Sequence, residues 1–231
     1  MADEPTDPLR AARELDAITT ALAHDLRAPL RAIDGFSRIL LADHAETVPD
    51  ETRRYLALVR DAGTELADLL DDLVDIVRLT TAPLDLRELD PALLARELVE
   101  AVLAPRAEGR EVEWVVGEVP TCHADQALLR RLIEELLDNA LKFSAPHARA
   151  RIALAWDPGA EAYMIRDDGV GLDGELPEQA FAIFGRLHGR EAFDGTGAGL
   201  AIAQRIAERH GGRVWGRGTP GGGMTVWFTI A

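Results

Sequence analysis

The stretch Arg131 to Ser144, RLIEELLDNALKFS, decides what kind of fold the chain can form. Leu129, Ile133, Leu136, Leu137 and Ala140 recur at helical spacing and make an apolar face that needs a core. Glu135, Asn139 and Lys142 fall at i, i+4 and i+7, along one edge away from that face. A carboxylate, a carboxamide and an ammonium in a row suit a magnesium-bound triphosphate. The oxygens serve a hard cation and the ammonium serves phosphate. Lys142 is the only lysine in the chain, where every other basic side chain is arginine. A lysine here marks a position that wants a compact, flexible charge. The competing reading of the same spacing is a solvated helix face.

Composition narrows the classes. A chain of 231 residues has room for one large domain or two small ones. Hydrophobic residues are 47% and aromatic ones only 5%, so the core is built of Leu, Val, Ile and Ala. A net charge of −15 argues against non-specific nucleic-acid binding and against an anionic membrane surface, since both want a basic face. The single cysteine, Cys122, excludes an internal disulfide and a cysteine-rich metal site, and reads as a packed thiol. No apolar run has the length of a membrane span, and MADEPTDPLR is too acidic and polar for a signal peptide. No membrane insertion and a cytoplasmic location are therefore expected.

Upstream of the central stretch the pattern is helical. Leu15, Ile18, Leu22, Pro29, Ile33, Phe36 and Leu40 predict a helix over 9–42, with Asp25 as the gap in the series. Pro49 with the acids after it marks a second start. Tyr55, Val59, Ala62, Leu66, Leu69, Leu73 and Ile76 then step by four and three as a heptad seam, flanked by Leu56, Leu70 and Val77. One hairpin cannot bury so wide a stripe on itself, but two can as a four-helix bundle, so residues 9–79 are expected to form a homodimer. Asp61, Glu65, Asp68, Asp71, Asp72 and Asp75 read as the solvated face of the second helix. Within the first helix, Pro29 removes the hydrogen bond to the Asp25 carbonyl, so the helix is expected to kink or loosen there, beside His24. Arg27 and Arg31 share the His24 face and could attract a phosphate or an acidic partner, and Asp25 could orient the imidazole or take its proton. The plainer alternative is a surface histidine.

Residues 80–90 read as a linker running into a short strand, and 91–231 as a second domain of alternating helices and strands. Helix is expected over Pro91–Ala104, strand over Glu111–Val116 and Val119–His123, and a cap at Asp125 for the helix that follows. Arg149–Trp156 and Ala162–Arg166 form a hairpin, and a long loop with a short helical piece near Leu176–Phe184 follows. A helix over Ala198–Gly211 and strands at Arg213–Gly216 and Met224–Ile230 complete an α+β layer with helices on one face of a mixed sheet.

The glycines are concentrated where a ligand would need bare backbone. In DDGVG, Asp167 can accept a hydrogen bond from an exocyclic amine while Gly169 and Gly171 let a flat ring approach. A carboxylate acceptor favours adenine, which offers an amine, over guanine, which offers a carbonyl at that edge. GTGAGLA, Gly195 to Ala201, opens a helix, where free amides and the dipole make an anion site. The remaining histidines, His44, His123, His147 and His210, show no metal-ligand spacing and read as packed singly or facing solvent.

These stretches, in this order, resemble the catalytic core of bacterial sensor histidine kinases, from about Leu15 to the end. AHDLRAPLR is similar to the family's H box, EELLDNALKFS to its N box, DDGVG to its G1 box, FAIFGRLH to its F box and GTGAGLAIA to its G2 box. GTPGGGMTVWF is similar to the last glycine box and its strand, and the run from Gly185 to Trp215 resembles kinases attached to phytochrome and PAS sensors. The resemblance implies a helical hairpin forming a dimeric four-helix bundle, followed by an α+β sandwich ATP-binding domain of the gyrase/histidine-kinase type. His24 would be the phosphoacceptor and Asp25 the acid that assists proton removal. Asn139 would ligate Mg²⁺ and Lys142 would contact the phosphates, with Glu135 on the same edge. Asp167 would read adenine, with Gly169, Gly171 and Thr225 beside the ring. Arg186 and His188 would belong to a lid that reaches the phosphates. Gly195, Thr196, Gly197, Gly199 and Leu200 would close over the triphosphate. ATP and Mg²⁺ are the implied cofactors, and a response regulator receiver domain the implied partner. A sensor is implied elsewhere, on a longer or a separate chain.

Two positions vary from the usual pattern. Ala28 stands where many members have Thr or Asn, so weak dephosphorylation of the regulator is expected by that route. Glu135 stands where many have Asn and where gyrase-type ATPases carry a general base, so slow hydrolysis of ATP is a secondary expectation. A gyrase-type ATPase and a non-catalytic dimeric scaffold are the rival readings. His24 within a dimerising hairpin argues against the first, and the intact glycine boxes against the second.

Overall fold

Two amphipathic runs of more than thirty residues, separated by Pro49, make the first unit. In the computed structural model they are α1 (Pro8–Ala42) and α2 (Asp50–Thr81). The structure describes residues 8–42, 48–107, 109–183, 185 and 196–231, and the side chains of all of these except 8–13, 80 and 81. The chain divides into two compact units on either side of Ala82–Pro83. α2 ends just before Pro83, as the steric restriction on a residue preceding proline requires.

α1 runs unbroken through Pro29. The helices pack through small and branched side chains, Ala23 and Leu30 against Ala67, Leu70 and Val74. Arg27 bridges to Asp71, and Arg78 approaches Asp16 at 4.0 Å. Asp71 is thus a cross-helix partner while remaining on the solvated face, and Arg27 is engaged by it. The apolar series legible in the sequence lies elsewhere. Leu15, Ile18, Leu22, Ile33, Phe36 and Leu40 on α1, and Tyr55, Val59 and Leu66 on α2, are exposed on the single hairpin. Among the described residues, twelve of the fifteen exposed large hydrophobic side chains belong to these two helices.

The second unit is one layer of helices on one six-stranded sheet. β1 (Leu86–Leu89) pairs antiparallel with β3 (Cys122–Asp125), which starts three residues and ends two residues later than the expected strand at Val119–His123. α3 (Pro91–Leu98) starts with Pro91 in its first turn and Asp90 as cap, the carboxylate accepting from the Ala92 amide at 2.8 Å. Over Val99–Leu103 the helix widens into a π turn before α4 (Ala104–Arg106). Leu98 and Leu103 are both fully buried, and the i, i+5 geometry puts residues five apart on one face.

β2 (Glu111–Val116), β4 (Arg149–Asp157), β5 (Ala162–Asp167), β6 (Gly174–Glu175), β7 (Val214–Thr219) and β8 (Gly223–Phe228) form the main sheet in the order β2-β4-β5-β8-β7-β6. Only β2–β4 is parallel. α5 (Gln126–Phe143) and α6 (Gly199–Arg209) cover one face. Leu129, Leu132, Ile133 and Leu137 of α5 and Ile202 and Ile206 of α6 are buried with Ile152, Leu154, Ile165 and Phe228 of the sheet. Truncating one of these Leu or Ile residues to Ala would cost roughly 2–5 kcal/mol, because a close-packed core leaves a cavity. The helical piece expected near Leu176–Phe184 is a single 3₁₀ turn, Glu178–Phe181. Among the described residues no helix is long and apolar enough to cross a membrane.

Candidate functional site

In the first unit, His24 projects from mid-α1 with its side chain 79% exposed. Its Nδ1 lies 3.4 Å from Asp25 Oδ1, which leaves Nε2 as the nitrogen facing outward. Ala28, one turn on, and Pro29 are exposed on the same helix. An exposed imidazole with a carboxylate at one nitrogen can act as a nucleophile through the other.

In the second unit, the sequence makes α5 start and stop sharply. Asp125 caps it, its Oδ1 accepting from the Ala127 amide at 3.0 Å and the Leu128 amide at 3.2 Å. The apolar stripe presses one face on the sheet, so Glu135, Asn139 and Lys142 emerge on the edge beside α6. The meeting is close. A methyl group at Gly199 would stand 2.6 Å from Glu135 Oε2 and 3.1 Å from Asn139 Nδ2. The ends of the Glu135 and Asn139 side chains thus reach the first residue of α6. Just ahead of it Gly197 has φ +82°, and Thr196 Oγ1 accepts from the Ala198 amide at 3.3 Å. Leu200 follows in the first turn of α6. Lys142 is in the last turn of α5, its ammonium 5.2 Å from the centre of the Phe143 ring.

Asp167 ends β5, and its carboxylate is buried at 5% exposure. Oδ1 accepts from the Gly169 amide at 2.8 Å and the Met224 amide at 3.3 Å. Burial pushes its pKa up to about 6, against the lowering effect of those amides. The loop after it is knitted into its surroundings. The Val170 amide donates to the Phe143 carbonyl at 3.1 Å, and the Gly221 amide to the Val170 carbonyl at 2.7 Å. Gly171 has φ +61° and Gly223 φ +83°, and a Cβ on either would collide with facing carbonyl oxygens. The DDGVG loop, the end of α5 and the Thr219–Gly223 turn thus form one rigid rim around a buried carboxylate.

The structure brings together Glu135, Asn139 and Gly199, and separately Asp167, Gly169 and Gly171. It does not bring Thr225 to Asp167. Thr225 pairs directly with Arg166, so it shares the face of that exposed residue, opposite to the face of Asp167. The strand's contribution at Asp167 is the backbone amide of Met224, one residue earlier. Arg186, His188 and Gly195 lie outside the described residues, as does His44.

Two participants were not singled out in the sequence. Arg131 Nη2 lies 2.8 Å from Glu135 Oε1, a pairing whose i, i+4 spacing was open to view. His210 is buried, its Nδ1 2.8 Å from the Ile206 carbonyl and its Nε2 accepting from the Asp125 amide at 3.1 Å. No local pattern announces that second bond, which joins residues 85 apart. Among the described residues no three His, Cys, Asp or Glu side chains are assembled to hold a metal. Asn139 and Glu135 offer only hard oxygen donors, the kind of small set that suits Mg²⁺ shared with phosphates and water.

The chain is similar to known proteins. Residues 14–82 match the His Kinase A (phospho-acceptor) domain family. Residues 124–231 match the family of histidine kinase-, DNA gyrase B- and HSP90-like ATPases. The chain is 31% identical over 226 residues to cyanobacterial phytochrome B of Nostoc sp. PCC 7120, covering 96% of this chain and 30% of that protein. It is 32% identical over 235 residues to the sensor histidine kinase AruS of Pseudomonas aeruginosa, covering 95% of this chain and 23% of that one. The crystal structure of full-length ShkA in complex with AMPPNP aligns with a TM-score of 0.61 and 28% identity, covering 93% of this chain and 47% of ShkA. The chain thus spans less than a third of the length of these two curated relatives.

Proposed function

The chain belongs to the sensor histidine kinases, and on that premise we propose that it is an ATP-dependent protein-histidine autokinase of a two-component system. The meeting of Glu135, Asn139 and Gly199 at the start of α6, beside a rim built on buried Asp167, carries the reading. Asp167 accepts the adenine amine, with bare backbone at Gly169 and Gly171 to admit the ring. Lys142 and the amides that open α6 take the phosphates. Asn139, with Glu135 beside it, would hold Mg²⁺, which supplies charge neutralisation at the phosphates when bound.

His24 attacks through Nε2. The bond from the γ-phosphorus to the bridging oxygen breaks, ADP leaves, and an N–P bond forms. The Nδ1 proton passes to Asp25, 3.4 Å away. In-line placement rather than covalent help from the protein governs this step. The phosphoramidate is labile enough to be handed to an aspartate of a receiver domain, the proposed partner. The exposed apolar faces of α1 and α2 fit a homodimer through a four-helix bundle. We place the protein in the cytoplasm, where ATP and receiver domains are available.

The test is incubation with radiolabelled ATP and Mg²⁺, beside His24→Gln, followed by acid and alkali. Acid-labile, alkali-stable label that is absent from the variant supports the proposal. Label that persists in His24→Gln refutes His24 as acceptor, and no label despite ATP binding supports the scaffold instead.

A further inference from the structure

We propose that Arg131 is a positioning residue of the nucleotide site, acting through Glu135. It holds one carboxylate oxygen, turns the other toward the first turn of α6, and offsets a negative charge that an incoming triphosphate would otherwise meet. This rests on the ATP-binding reading above.

The geometry divides the two oxygens of Glu135 between two neighbours. Oε1 lies 2.8 Å from Arg131 Nη2, one helical turn upstream on α5. Oε2 is the atom nearest to Gly199, with Asn139 Nδ2 beside it. The Glu135 side chain is only 18% exposed, so its charge is weakly screened by water and salt. Ala198, just before α6, has no side-chain oxygen to cap the first amides of the helix. The positive end of the α6 dipole therefore favours a carboxylate at Oε2. The same carboxylate repels a triphosphate that comes to those amides. A guanidinium in contact with Oε1 reduces that repulsion without occupying the space at Gly199. A neutral Asn at 135 would need no such partner. A Glu does, and this chain places an arginine one turn before it.

The test measures ATP affinity by calorimetry on the full chain and its Arg131→Gln, Arg131→Lys, Glu135→Gln and Arg131→Gln/Glu135→Gln variants. KM and kcat for His24 labelling are measured on the same set, with tryptophan fluorescence to check that each is folded. Removing the guanidinium should weaken ATP binding roughly tenfold, the scale of one partly screened charge near the phosphates. The loss should fall on KM rather than kcat, because the repulsion acts on the bound ground state. Arg131→Lys restores a cation and should stay within about threefold of wild type, and in the Glu135→Gln background losing Arg131 should cost less than about twofold. An equal loss with and without the Glu135 carboxylate would overturn the inference, as would no loss in Arg131→Gln. Wild-type protein that binds no ATP would overturn the proposed function, and this inference with it.

Discussion

Asp167→Asn should stabilise the ATP-binding unit near neutral pH while disabling it. Burial raises the folded-state pKa of Asp167 from 3.8 to about 6. The folded state therefore holds a proton that the unfolded state has released, across the interval between those values. The stability due to that proton is fully present below the unfolded pKa and is lost as pH rises through about 6. A shift of about 2 units corresponds to about 3 kcal/mol, and with Asp167 almost wholly buried no large discount for solvent is due. Asparagine keeps an oxygen for the Gly169 and Met224 amides and never carries the charge. The stability difference between Asp167→Asn and wild type should thus be small near pH 4 and grow to at most about 3 kcal/mol above pH 6.5. Urea unfolding followed by tryptophan fluorescence isolates the unit, since Trp114, Trp156, Trp215 and Trp227 all lie after Pro83. ATP should then shift the wild-type transition and fail to shift that of the variant. Parallel pH profiles for the two proteins would refute the assignment of the buried charge to Asp167.

Other perturbations test the rest of the framework. Gly223→Ala should cost more than about 2 kcal/mol in the same unfolding assay, because φ is +83° and the new Cβ would collide with the Asp167 carbonyl. Unchanged stability would mean that the turn yields. Asp125→Ala removes the cap of α5 and the acceptor of the Asp85 amide at 3.1 Å, and should cost about 1–2 kcal/mol, with Asp125→Asn recovering much of it. Leu22→Arg and Phe36→Arg should each weaken the dimer by more than about tenfold in sedimentation equilibrium, since each puts a charge on an exposed apolar stripe. A dimer of undiminished strength would assign dimerisation to another surface.

The sequence makes periodicity legible but not the partner of each face. In α1 and α2 much of the apolar series lies exposed on the single hairpin, while Leu70, Ile76 and Val77 from the stripe of the second helix are buried, as are Ala23, Leu30 and Val74. Both sets satisfy the same spacing rule, and only the docked helices tell them apart. Asp71 reads as a solvated acid, which it is, but its partner, Arg27, is 44 residues away and not legible beside it. Side-chain edges fare better. Glu135 and Asn139 project to one place because a helix fixes their spacing, and both reach Gly199 at the start of α6. Thr225 shows the limit. A slip of one residue along a strand changes the face, and the group that reaches Asp167 is a backbone amide, which every residue but proline possesses.

The helix pair that carries the proposed nucleotide site is also joined at its far end. α5 and α6 run in opposite senses, so the start of α5 lies by the end of α6. There His210 joins them, Nε2 accepting from the Asp125 amide while Nδ1 donates to the Ile206 carbonyl. Asp125 is also the cap of α5 and the acceptor for Asp85, next to β1, so one residue ties both helices to the strand that follows Pro83. At the opposite end the ends of the Glu135 and Asn139 side chains meet Gly199. The proposed nucleotide site thus lies at one end of a helix pair whose other end is joined by a buried histidine.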